Sequence, residues 1–97
     1  MTRDEAIRRL KDHQAELRRL GVEHLYLFGS IADDHGRGDS DVDLFFDHQK
    51  GKLGPYELMD LKEAASAILG RRADIMTRES LHPTLRPHIE QAAVLVF

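Results

Sequence analysis

Cysteine and tryptophan are both absent from this chain of 97 residues, and aromatic residues make up only 6% of it. Without cysteine there is neither a disulfide scaffold nor a zinc site built on thiolates. No window approaches the roughly 18 consecutive apolar residues that a membrane span needs. The charged N-terminal residues do not lead into an apolar segment, which argues against a secretory signal. The net charge of −3 argues against binding nucleic acid by phosphate neutralisation.

What is present is ordinary for a globular protein, with 41% hydrophobic and 32% charged residues. The length suits one domain, and we expect residues 1–97 to form it. We also expect the protein to be cytoplasmic and to bind neither a membrane nor a nucleic acid directly.

Capping signals and apolar spacing divide the chain into alternating helices and strands. Thr2 and Glu5 form a capping box, and the helix that follows is expected to run for about five turns to Gly21. The further predicted elements are strands over 22–28 and 41–46, a helix from Pro55 to Gly70, a strand over 72–76, a helix capped by Thr84, and an edge strand over 94–97. This order predicts an α/β fold, a small mixed β-sheet packed with helices.

The last predicted helix contains Pro87, which is tolerated because it lies in the first turn. Its apolar residues Leu85, Ile89 and Ala92 are expected to face inward.

Three aspartates are the best candidates for a chemical role. Asp41 and Asp43 are two residues apart in a predicted strand, so their side chains leave the same face, with Cα atoms about 6.6 Å apart. Asp74 lies within an otherwise apolar short strand, where an unpaired carboxylate is expensive to bury. Carboxylate oxygens are hard ligands and favour Mg²⁺ or Mn²⁺, held singly or as a pair.

Other interpretations of these acids require particular residues at set positions along the chain. A lone Asp-x-Asp is more often a turn or an edge-protecting feature of a strand. An EF-hand loop beginning at Asp39 would need glycine and glutamate where the chain has Leu44 and Lys50, which excludes it. No Gly-x-x-x-x-Gly-Lys occurs, so a Walker phosphate-binding loop is absent as well.

The spacing of two motifs carries a family resemblance. Gly29-Ser30, ten intervening residues and Asp41-Val42-Asp43, followed by the strand acid Asp74, resemble the signature of the DNA polymerase β-like nucleotidyltransferase superfamily. The small size is similar to that of the minimal nucleotidyltransferases, and the likeness covers nearly the whole chain. The resemblance implies the polymerase β-like nucleotidyltransferase core as the fold.

The resemblance also implies a function. Such domains resemble the antitoxin half of toxin–antitoxin pairs whose partner is a helical HEPN-type ribonuclease. It implies transfer of AMP from ATP to a tyrosine of that toxin, in a hetero-oligomeric complex. Asp41, Asp43 and Asp74 would be the catalytic, metal-binding residues, and Asp74 would help to deprotonate the attacking hydroxyl.

For the nucleotide, the resemblance implies phosphate contacts from Gly29 and Ser30. The chain departs from the family where Asp33-Asp34 replaces the usual Arg-Gly, although Arg37 can substitute if the loop folds back. An alternative therefore remains open, in which catalysis is impaired and the antitoxin neutralises its toxin by binding alone.

Overall fold

The computed structural model describes residues 1–32, 41–51 and 53–97 of the chain. Within these ranges, helices and strands follow one another in the order α1 Arg3–Asp12, α2 Gln14–Arg19, β1 Val22–Phe28, α3 Gly29–Ala32, β2 Val42–His48, α4 Pro55–Leu69, β3 Ala73–Thr77, a 3-10 turn Arg78–Ser80, α5 Arg86–Ala92 and β4 Val94–Leu95. None of these helices has the length and apolarity that a membrane crossing requires.

The strands form one mixed sheet in the order β3-β2-β1-β4. β1 pairs antiparallel with β2 and with β4, whereas β2 and β3 are parallel and are connected through α4. The prediction of an α/β fold with a small mixed sheet is confirmed. The predicted edge strand exists but is shorter, and β2 and β3 both end later than predicted.

The main core lies on one face of the sheet, where alternate strand residues meet α1, α2 and α4. The fully buried side chains of this core include Leu10, Leu17, Leu25, Leu27, Leu44, Phe46, Leu61 and Leu69. Helix α4 matches its prediction, since it has Pro55 in its first turn and ends at Gly70 in the left-handed conformation, φ 68°.

The prediction of one long first helix is wrong, because the helix is interrupted at His13. The Nδ1 atom of His13 lies 2.9 Å from the carbonyl oxygen of Arg9, which would accept the backbone N–H of His13 in a regular α-helix. That N–H donates to the carbonyl of Leu10 instead, at 3.1 Å. The side chain thus competes with the backbone for an acceptor. The cap itself is confirmed, since the Glu5 N–H donates to the Thr2 hydroxyl at 3.2 Å.

Helix α5 also differs from its prediction. Thr84 does not cap it, because the Arg86 N–H donates to the His82 carbonyl at 2.8 Å and already closes a turn around Thr84. The N-cap position is taken by Leu85, at φ −90° and ψ −19°, and no side-chain hydrogen bond caps the helix. Leu85 is 55% exposed and Ala92 is exposed too, so the prediction that they face inward is wrong, and Ile89 is half-buried.

Candidate active site

The sheet face opposite the core carries Asp43 and Asp74 side by side. They are register partners on the parallel strands β2 and β3, and Phe28 of β1 is the partner of Asp43 on its other side. Neighbouring strands are about 4.8 Å apart, and residues in register share a face. Strand pairing thus places two carboxylates that are 31 positions apart in sequence next to each other.

Gly29 determines where the carboxylate of Asp43 can lie. The chain leaves β1 at Gly29 with φ 79°, a left-handed conformation that glycine adopts without strain. A Cβ atom at this position would lie 2.3 Å from Oδ2 of Asp43. The carboxylate therefore occupies the space that any other residue would fill, which is a physical reason for glycine after β1.

The surroundings of Asp43 disfavour the ionisation of its carboxyl group. Burial raises the pKa of Asp43, and the negative charges of Asp74 and Asp41 raise it further. Asp41 is exposed just before β2, and its Oδ2 lies 3.8 Å from Nε of Arg72.

The donor set fits a hard divalent cation in its chemistry, because a positive charge would relieve the unfavourable ionisation of Asp43. In the described residues, however, no group of three or more His, Cys, Asp or Glu side chains is arranged so that it could hold a metal ion. Asp43 and Asp74 lie together, whereas Asp41 is engaged with Arg72 at the edge. The three-aspartate metal site stays a prediction.

The remaining predicted site residues lie on the segment that follows β1. Ser30 is the second residue of α3 and is exposed. Arg37 lies outside the described residues, and so do Asp33 and Asp34. Their predicted roles at a nucleotide therefore stay predictions.

A second cluster on the same face centres on Arg78. Its guanidinium donates to both carboxylate oxygens of Asp47, at 2.7 and 3.0 Å, and to Glu90 of α5. The same group lies 4.8 Å from the ring centre of Tyr26 and 5.1 Å from that of Phe45. The hydrogen bonds from Arg78 lower the pKa of Asp47, and those to Asp47 and Glu90 raise the pKa of Arg78.

The Arg78 cluster covers an aromatic core that is separate from the main one. The rings of Tyr26 and Phe45 are stacked, with centres 4.8 Å apart, and Phe45 is fully buried although it faces away from α1, α2 and α4. The apolar pair Phe45-Phe46 was the sequence signal that both faces of β2 are covered. The covering arginine was not predicted, since nothing local marks it.

A small cavity lies at the end of β1, beside Gly29. It has a volume of about 170 Å³, and the described residues that line it are Phe28, Gly29, His88, Ile89 and Ala92. The apolar side chains of α5 that were predicted to face the core thus border this cavity instead.

Known proteins resemble the chain over nearly its whole length. The family described as Polymerase beta, Nucleotidyltransferase matches residues 10–97. Protein adenylyltransferase MntA of Thermococcus cleftensis is 32% identical over 88 residues, which cover 90% of this chain and 88% of that protein. The solved structure of a candidate minimal nucleotidyltransferase has a TM-score of 0.83 and 30% identity, covering 97% of this chain and 95% of that chain.

One chain of a solved toxin–antitoxin complex has a fold similar to that of this protein. The complex contains a tri-AMPylated HEPN toxin of Shewanella oneidensis bound to an MNT antitoxin. The TM-score is 0.58 with 17% identity, over 90% of this chain and 68% of that chain.

Proposed function

The chain belongs to the polymerase beta nucleotidyltransferase family, and we propose that it is a cytoplasmic antitoxin that transfers AMP from ATP to a tyrosine hydroxyl of a partner HEPN toxin. Two findings about other proteins support this proposal. A relative with 32% identity is named a protein adenylyltransferase. A complex in which one chain has the same fold joins an MNT antitoxin to an AMPylated HEPN toxin.

The observation that carries the proposal is the position of the Asp43 carboxylate. Its carboxylate lies against the bare Cα of Gly29, next to Asp74 in register, and its ionisation is disfavoured. A carboxylate held at such a cost is typical of a functional site. Asp47 on the same strand shows the contrast, because its carboxylate is paired with the guanidinium of Arg78.

Each residue then has a defined task. Asp41, Asp43 and Asp74 would hold Mg²⁺ or Mn²⁺, which when bound neutralises the charge of the triphosphate. Gly29 and Ser30 would contact phosphate oxygens, and Arg37 is proposed to bind the nucleotide as well. The tyrosine oxygen bonds to the α-phosphorus of ATP, the bond from that phosphorus to the bridging oxygen breaks, and pyrophosphate leaves. Asp74 accepts the hydroxyl proton.

The test is the mass of the toxin after incubation with ATP, Mg²⁺ and this protein. The native chain is expected to add one or more AMP units, and Asp74→Asn to lower the rate by about 10²-fold or more. Asp60→Asn makes the same change at an exposed position of α4 and serves as the control. Equal rates in all three proteins would refute the role of Asp74.

A second function, neutralisation by binding alone, is favoured by one specific observation. Asp33-Asp34 stands where the resembling family has Arg-Gly, which places two negative charges where an arginine would meet a triphosphate. If neither the native chain nor Asp74→Asn modifies the toxin, and both block its ribonuclease activity equally at stoichiometric ratio, this alternative holds and the transferase proposal fails.

A further inference from the structure

The cavity at the end of β1 has the size of a single aromatic ring. Its volume of about 170 Å³ is close to that of an engineered cavity of about 150 Å³ that binds benzene. Pockets that take drug-sized ligands are larger, about 300–1,000 Å³. The volume therefore matches one six-membered ring, whereas a fused two-ring base with its ribose is larger than this volume.

The lining suits such a ring. Phe28, Ile89 and Ala92 offer an aromatic and two aliphatic surfaces, and His88 supplies a polar side chain. Aromatic rings bind to one another at an edge or in an offset stack, a geometry that Phe28 can offer to a guest. The base edge of a nucleotide would call for several directed hydrogen-bonding groups, which these side chains do not supply.

The position of the cavity is the second argument. Gly29 belongs to its wall, and the same glycine is in contact with the carboxylate of Asp43. Gly29 thus stands between the cavity and the carboxylate of Asp43. The adenine of ATP is separated from the reacting α-phosphate by its ribose, whereas the acceptor oxygen must reach that phosphate directly.

We infer that the cavity lined by Phe28, Ile89 and Ala92 is the acceptor subsite, which takes the phenol ring of a tyrosine side chain of the partner protein. The inference rests on the proposed function for its biological meaning. It adds a specificity-determining surface, contributed by α5, that selects an aromatic hydroxyl over the aliphatic hydroxyls of serine and threonine.

A binding experiment without the toxin tests the cavity directly. The probes are N-acetyl-L-tyrosinamide, N-acetyl-L-alaninamide and adenosine, each titrated into the ¹⁵N-labelled native chain and followed by amide chemical shifts. Tyrosinamide is expected to shift the amides of Phe28, Ile89 and Ala92, and the other two probes are expected to leave them in place. No shift with tyrosinamide, or the same shifts with adenosine, would overturn the inference.

Filling the cavity is the matching perturbation. Ala92→Leu adds three carbons at an exposed position of α5, and Ala67→Leu makes the same change on the exposed side of α4 as the control. Leucine is a good helix former at both sites, so both variants should fold, which melting curves verify. Tyrosinamide shifts should disappear in Ala92→Leu and persist in Ala67→Leu. Their persistence in both variants would contradict the inference.

In the transfer assay, Ala92→Leu is expected to lower kcat/KM for the toxin by about tenfold or more, as a misfit in an apolar pocket does. The KM for ATP should stay unchanged. A raised KM for ATP with unchanged use of the toxin would assign the cavity to the nucleotide instead. If the native chain transfers no AMP at all, the proposed function fails, while the tyrosinamide shifts still decide the cavity.

Discussion

Replacing Gly29 by alanine should disturb the geometry of the site, and hence the rate of AMP transfer, far more than the stability of the fold. The new Cβ would lie 2.3 Å from Oδ2 of Asp43, whereas ordinary contacts begin at 3.4 Å, so the carboxylate must move by roughly 1 Å. That oxygen is the end of a rotatable side chain, so relief is cheap in stability. A misplacement of this size at a reacting group costs about 10²-fold in rate.

Gly51→Ala is the matched control. Gly51 has φ 80°, nearly the same as the 79° of Gly29, but a Cβ there meets no atom of the described residues within 4 Å. Both variants carry the cost of a left-handed alanine, about 1–2 kcal/mol. For a domain of this size that corresponds to a fall in Tm of roughly 4–8 °C per kcal/mol.

The assay pairs urea unfolding of both variants with the rate of AMP transfer to the toxin. The unfolding free energies should fall by similar amounts, about 1–2 kcal/mol, while only Gly29→Ala loses about 10²-fold in rate. Full activity in Gly29→Ala would refute the argument that Asp43 needs the space left by the missing Cβ of Gly29. So would an equal loss of activity in Gly51→Ala, since that position has no contact with the carboxylates.

Further predictions concern charge, capping and metal. Asp43→Asn should raise the Tm at pH 7, because the raised pKa of Asp43 makes its ionisation a cost to the fold. This gain should fade as the pH falls and be lost below the unfolded pKa of about 4, where the native carboxyl is protonated in both states; a destabilised variant would contradict it. The pKa of Asp47 is lowered in the fold, so ionised Asp47 stabilises it. This stabilisation is present above the unfolded pKa and is lost as the pH falls through the folded pKa. In urea titrations at a series of pH values, Asp47→Asn should therefore lose less stability at acid pH than the native chain does. Arg78→Met keeps the apolar stem but leaves Asp47 without its cation and leaves Glu90 paired with Arg86 alone. Unfolding should therefore become easier by about 2 kcal/mol, and a loss within the range of exposed pairs, under about 0.5 kcal/mol, would argue against the cluster. Thr2→Ala should cost about 1 kcal/mol by removing the cap of α1, and an unchanged denaturation midpoint would argue against that hydrogen bond. Millimolar Mn²⁺ should raise the Tm of the native chain and not that of Asp43→Asn, whereas equal shifts would contradict a carboxylate metal site.

Local rules predicted the elements that depend on neighbouring residues. Helix α4 begins at Pro55 and ends at Gly70 because a fixed φ favours the first turn and glycine adopts the left-handed exit. Where a side chain competes with the backbone, the same rules failed. The imidazole of His13 takes the carbonyl of Arg9 and divides the first helix, and the turn from His82 to Arg86 prevents Thr84 from capping α5.

The candidate site was predictable as a set of residues but not as an arrangement. The alternation of β2 places Val42 and Leu44 towards the core and Asp43 away from it, and the spacing from Gly29-Ser30 carried the family resemblance. Which strand lies beside Asp43 depends on pairing between distant segments, which no local pattern specifies.

By itself, then, the sequence determined the helical and strand periods, most of the stop signals, the α/β class and the candidate carboxylates, since each depends on residues a few positions apart. Only the tertiary structure decided that Asp74 lies next to Asp43, that the carboxylate rests on Gly29, and that Arg78 joins β2 to α5. The physical reason is that these contacts join segments brought together by strand pairing and burial of apolar surface. Such contacts form only when the whole sheet assembles, because the entropy of closing the intervening chain is offset collectively rather than by any single pair.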